Sequence, residues 1–138
     1  MNWVGMDSCN RATILPCWLD VDLDVIADNV AALRAWVGDG VQLAAVVKAQ
    51  AYGVGSLEIA RTALAAGAGW LAVARVHEGA ELRAAGVRAP ILVLTRTDPD
   101  EADSAVAADL AVTVDTVDLG RALGAAARRF GRRAACHV

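Results

Sequence analysis

Residues 70–94 read WLAVARVHEGAELRAAGVRAPILVL, and the change of period along them decides the fold. Trp70–Ala74 is a short unbroken apolar run, the pattern of a strand buried on both faces of a parallel sheet. A helix is expected from about Val76 to Ala85, with Gly86 as its stop. Ile91–Leu94 is a second apolar run. Two parallel strands cannot be joined by a tight hairpin and need a crossover such as this helix, so the segment predicts a β-α-β unit.

The same alternation continues in both directions. Upstream, Trp18–Leu23 (WLDVDL) alternates apolar and acidic residues and predicts a half-exposed strand. Asp24–Val37 predicts a helix with Asp24 as N-cap and Gly38 as stop. Leu43–Val47 (LAAVV) predicts another doubly buried strand, and Ser56 is placed to cap a helix through about Ala66 that Gly67 ends. Downstream, Asp98-Pro99-Asp100-Glu101 joins a capping residue, a proline at the first helical position and a glutamate at the third. Ala111–Val114 (AVTV) and Ala134–Val138 (AACHV) predict two more strands, with an alanine-rich helix over Thr116–Phe130 between them. Strands recur about every twenty residues with helices between, which predicts an α/β chain on parallel strands. An open doubly wound sheet and part of a (β/α)8 barrel both satisfy this pattern. A whole barrel takes ~250 residues, so about the first five strands of eight would be present. The last strand-like segment has no turn or cap after it, which favours a partial barrel.

Length and composition narrow the function. The chain has 138 residues, 57% of them hydrophobic and 21% charged, enough for one domain with a core. An irregular leader is expected over 1–15 and the barrel segment over 16–138. No apolar stretch is long enough for a membrane span, and the leader lacks the continuous apolar segment of a secretory signal, so a cytoplasmic protein is expected. The net charge of −3 argues against a nucleic-acid partner. Arg128, Arg129, Arg132 and Arg133 read as a helix end, where cations complement the dipole. Cys9, Cys17 and Cys136 have no metal-ligand spacing and read as reduced thiols. The acidic run Asp98, Asp100, Glu101 and Asp103 is explained by helix-start chemistry, so no metal is expected. Trp18, Trp36 and Trp70 adjoin apolar residues and read as packing rather than ligand stacking. Trp3 falls in the leader. His77 reads as a polar residue on an exposed helix face.

The sharpest chemical feature is Lys48, in Val46-Val47-Lys48-Ala49-Gln50-Ala51-Tyr52-Gly53-Val54-Gly55. It ends an apolar strand, where active-site residues of parallel α/β folds gather, and an amine in apolar surroundings suits Schiff-base chemistry. A lysine that closes a strand and reaches to solvent along its stem fits the same position. Gly53 and Gly55 allow the chain to turn before the next helix.

Ala45–Gly55, AVVKAQAYGVG, resembles a motif of the alanine racemase family, A-V-V-K-A-N/D-A-Y-G-H-G. Trp18, Asp22, Leu23 and Asn29 are similar to its W-x-x-x-D-L and following helical asparagine, and Gly67–Leu94 is similar to its second and third strands. The resemblance runs from about Pro16 to Val138. It implies a pyridoxal 5'-phosphate enzyme, a homodimer, in which Lys48 forms the aldimine and acts as the base on one face. Tyr52 would bond the cofactor phosphate. The acid on the other face is, in the family, a tyrosine of the second subunit from beyond position 138. The family's next motif, H-x-K-x-D-T-G-M-x-R, begins at His137, and the chain stops one residue before its lysine. Val54, Gln50, Arg75 and His77 depart from the family's usual histidine, asparagine or aspartate, threonine and glutamate. The resemblance implies interconversion of L- and D-alanine for the cell wall. A racemase of another amino acid, or a non-catalytic pyridoxal-phosphate-binding protein of the same fold, stands as the alternative.

Overall fold

The computed structural model describes residues 18–138. The leader over 1–15 lies outside the described residues, as do Trp3, Cys9 and Cys17. Five strands, β1 Ala44–Val46, β2 Trp70–Val73, β3 Ile91–Val93, β4 Ala111–Thr113 and β5 Ala135–His137, form one sheet in the order β1-β2-β3-β4-β5. Every pair is parallel, for example Ala45 beside Leu71, Leu71 beside Ile91 and Val112 beside Cys136. A doubly wound sheet reverses its strand order at a switch point. This sheet never reverses, so of the two architectures left open by sequence it is the barrel winding that is present.

Helices fill the crossovers: α3 Ser56–Ala65, α4 Val76–Ala84, α5 Ala102–Ala107 and α6 Val117–Phe130, with α1 Leu23–Val37 ahead of the sheet. Between β1 and α3 lies α2, Lys48–Gly53. The core sits between the middle strands and their helices. Leu71, Val73, Ile91, Val93 and Val112 meet Leu82, Leu119 and Leu123, all buried. In α6 the buried residues Leu119, Leu123 and Ala126 follow helical spacing, as one apolar stripe facing a sheet requires. Thr116 caps that helix by accepting the Leu119 N–H at 3.3 Å, and Gly131 ends it in the left-handed region at φ 62°. Gly79, within α4, is there for closeness: a Cβ would lie 2.9 Å from both terminal methyls of Leu110.

Arginines fasten neighbouring segments by their backbone carbonyls, Arg83 and Arg132 among them. The Arg83 guanidinium donates to the carbonyls of Val87, Ala89, Ala108 and Asp109 at 2.7–3.1 Å. Burial lowers its pKa, Asp109 opposes that shift, and Arg88 adds to it. Arg132 reaches the carbonyls of Val106 and Ala107 at the end of α5, and Arg129 pairs with Asp103. Of the basic cluster, Arg129 and Arg132 are thus used against α5.

Several expectations are corrected. Trp18–Leu23 is not a strand of the sheet; Asp22 makes an isolated bridge, and among the described residues no strand is laddered with this segment. Asp22 rather than Asp24 is the N-cap of α1, accepting the N–H groups of Asp24 and Val25. Ser56 is the first residue of α3, not its cap, which is Gly55. The double burial expected of LAAVV fails: Ala44 and Val46 are exposed, on a strand that among the described residues has a neighbour on one side only. Trp18 and Trp36 are 80% and 84% exposed, so they do not pack. α1 has no buried residue at all. Trp70 is half-buried at the start of β2, and His77 is exposed on α4 as expected.

Candidate active site

Parallel strands wound in this way bring their carboxyl ends to one edge, and the loops leaving that edge carry the chemistry of such folds. Here they hold Lys48 after β1, Ala74 and Arg75 after β2, Thr95, Arg96 and Thr97 after β3, and Asp115 and Thr116 after β4. The loops are tied to one another. Thr95 donates its hydroxyl to the Ala74 carbonyl at 2.5 Å, and the Thr113 hydroxyl donates to Val93 at 2.8 Å. Thr97 is 2% exposed, and its hydroxyl has no partner among the described residues.

Lys48 is half-buried, and the residue before it, Val47, is 1% exposed and donates its N–H to the Ala72 carbonyl at 2.8 Å. The chain then does something unusual. Ala49, Gln50, Ala51 and Tyr52 all have φ between 50° and 60° and ψ between 31° and 49°, a turn of left-handed helix without a glycine. L-residues meet their own carbonyls in that region at roughly 1–2 kcal/mol each, so the turn persists only because its surroundings hold it. Ala51 is buried against the core and donates to the Val47 carbonyl at 3.0 Å. Gly55 donates to the Gln50 carbonyl at 2.8 Å, and the Ser56 hydroxyl donates to the Gln50 side-chain oxygen at 3.3 Å. Gly53 and Gly55, at φ 95° and 101°, carry the chain out, as the sequence predicts.

A third anchor was not read from the sequence. Glu78 accepts the Ala49 N–H at 2.7 Å, the Ala74 N–H at 2.7 Å and the Arg75 N–H at 2.9 Å. Burial is the largest single influence and works against its ionisation, but the three N–H donors, with His77, outweigh it and hold the carboxyl below its ordinary value. The available signal was its place as third residue of α4, where a glutamate reaches back to the cap.

The structure therefore brings Lys48 and Tyr52 together on one six-residue segment, with Tyr52 69% exposed. Arg75, Arg96, Thr95 and Asp98 line a depression at the ends of β2 and β3. A roomier one lies beside Gly120 and Gly124 of α6, and neither depression is lined by Lys48 or Tyr52; chemistry rather than size assigns the site.

Strands wound in chain order, with an amine at the carboxyl end of the first, define the leading part of a β-α barrel with a strand-end lysine. The family model described as alanine racemase, N-terminal domain, matches residues 21–138. The alanine racemase of Desulforamulus reducens is 42% identical over 123 residues, 89% of this chain and 33% of that protein. That of Geobacillus stearothermophilus is 50% identical over 97 residues, 70% of this chain and 25% of that protein. The solved alanine racemase from D-cycloserine-producing Streptomyces lavendulae has a TM-score of 0.78 at 40% identity, covering 84% of this chain and 30% of that one. The chain belongs to the alanine racemase N-terminal domain family, and it spans about a third of the length of the curated relatives it matches.

Proposed function

We propose that residues 16–138 form the N-terminal part of a pyridoxal-phosphate-dependent racemase that interconverts L- and D-alanine. The observation that carries this reading is the place of Lys48: the chain's only lysine follows β1 and Val47 on the strand-end edge, inside the segment that matches the family. The donor set suits the cofactor. A phosphorylated aldehyde calls for a primary amine and a donor to its phosphate, and α2 carries Lys48 and the exposed hydroxyl of Tyr52. Arg75 and Arg96 add positive charge after β2 and β3.

The cofactor, when bound, supplies an electron sink for the pair left by loss of the substrate's α-proton. The chain's own residues do the rest. Lys48 would hold the cofactor through its amine and, once the incoming substrate amine has displaced it, the freed amine would take the α-proton on one face. Tyr52 would donate its hydroxyl to the phosphate. Val47 and Ala51, both buried, close the underside of the turn to water. The acid for the opposite face is expected outside these residues, from the second subunit of a homodimer. The setting proposed is the cytoplasm, with D-alanine going to peptidoglycan; among the described residues no helix is long and apolar enough to cross a membrane.

The test extends the polypeptide to the length of its relatives, adds pyridoxal phosphate, reduces with borohydride and maps the labelled peptide, alongside an assay for D-alanine. Label at Lys48 with D-alanine formation is expected. Label at Lys48 with turnover of a different amino acid replaces alanine as substrate, and no label at Lys48 overturns the reading. The 138-residue chain alone is expected to lack useful turnover, since loss of a positioned acid removes ~10²–10⁴-fold in rate.

A further inference from the structure

Glu78 divides its two oxygens between two tasks. Oε2 accepts the N–H groups of Ala74 and Arg75, which is what capping α4 requires. Oε1 accepts the N–H of Ala49, 29 positions away along the chain, and that bond does nothing for α4. Its partner is the residue bonded to Lys48, and it is the first residue of the left-handed turn. The other holds on that turn act further along, at Gln50 and Ala51. Among the described residues the carboxylate is the one side chain bonded to the turn where it leaves the lysine, and it ties the end of β1 to the end of β2.

We propose that Glu78 is the positioning residue of Lys48: its carboxylate, bridging Ala49 to Ala74 and Arg75, fixes the backbone at which the lysine side chain leaves the strand edge. The consequence for reactivity rests on the proposed function; the anchoring itself does not. A carboxylate is the right group, because it offers two acceptor oxygens and no donor, and the three groups it meets are all donors.

The experiment compares the chain with E78Q, which keeps the size but has one acceptor oxygen. A glutamine can serve α4 or Ala49, and its amide N–H₂ then faces a donor on the other side. Hydrogen exchange of the peptide over residues 48–53 is expected to quicken about tenfold, the scale of losing one charge-assisted bond. Borohydride trapping of pyridoxal phosphate on Lys48 is expected to slow several-fold, with helix content unchanged. Adding A49G should restore much of the trapping, because glycine occupies the left-handed region without strain and needs less holding. If E78Q fails to fold, E78D is read in the same way: it keeps the charge and the cap but is one methylene shorter. A residue that merely caps α4 would leave exchange over 48–53 and Lys48 trapping unchanged and give A49G nothing to rescue; that result overturns the inference. Quickened exchange with no trapping, even in the unaltered polypeptide extended to the length of its relatives, would instead sink the cofactor reading and leave the anchoring by Glu78 intact.

Discussion

The middle of the sheet and its two sides are built from similar sequence and end differently. β2, β3 and β4 are almost wholly buried, whereas β1 is exposed at Ala44 and Val46 and β5 is exposed throughout. LAAVV and WLAVA are both apolar runs of small and branched residues. One lies between two strands and the other has a neighbour on one side alone. Burial is thus a property of position in the sheet as much as of sequence. α1 says the same for helices: it packs on α3 and leaves Leu33 and Trp36 open.

This contrast can be broken by experiment. The largest expected effect is on association. Unpaired strand edges without proline or charge invite pairing with another chain, so the 138-residue chain should self-associate through β1 and β5. Size-exclusion chromatography should show this, and V46K with C136K should shift the elution toward monomer. A monodisperse, sharply unfolding monomer without those changes would mean that the sides are not sticky edges. Next come the cores. Leu71 and Leu123, at 0% and 1% exposure, should each cost ~2–5 kcal/mol on replacement by alanine, while W36A should cost less than about 0.5 kcal/mol. Denaturant midpoints decide it, and equal losses would erase the distinction between middle and side. G79A should cost ~1–3 kcal/mol by forcing a methyl against Leu110; a stabilised variant would show that α4 has room to move.

The smallest effect is in acid. The Glu78 carboxyl lies below its ordinary value of 4.5 in the folded chain. Its contribution to stability is therefore fully present above that value and is lost as pH falls through the lower folded one. E78Q should flatten this part of the acid-unfolding curve, and an unchanged curve would show that the three N–H bonds contribute nothing measurable.

The parts of the fold written in local patterns were legible. WLAVA, ILVL and AVTV announced β2–β4 as apolar runs, and Asp98 with Glu101 announced the turn at Pro99–Glu101, where the Glu101 carboxylate accepts the Asp98 N–H. Strand order was not legible, because winding depends on which faces meet. WLDVDL alternates correctly for a strand, yet alternation supplies no partner, and Asp22 is used to cap α1 instead. At the site, Lys48 and Tyr52 stood out by type and place. The handedness of the turn between them did not, since Ala49, Gln50 and Ala51 prefer the opposite sign of φ and are overruled by bonds around the turn, including one from Glu78 far along the chain.

That turn has a stereochemical consequence. A segment whose backbone runs in the mirror-image sense is one where mirror-image residues would be at ease. At Ala49 the inverted alanine would put its methyl on the side that the left-handed turn leaves free, removing the clash that an L-residue suffers there. Almost anywhere in α6, the same inversion would break the helix. A semisynthetic chain with D-alanine at position 49 should therefore unfold at a higher denaturant concentration than the natural one. In this fold a single inverted centre would relieve strain beside Lys48.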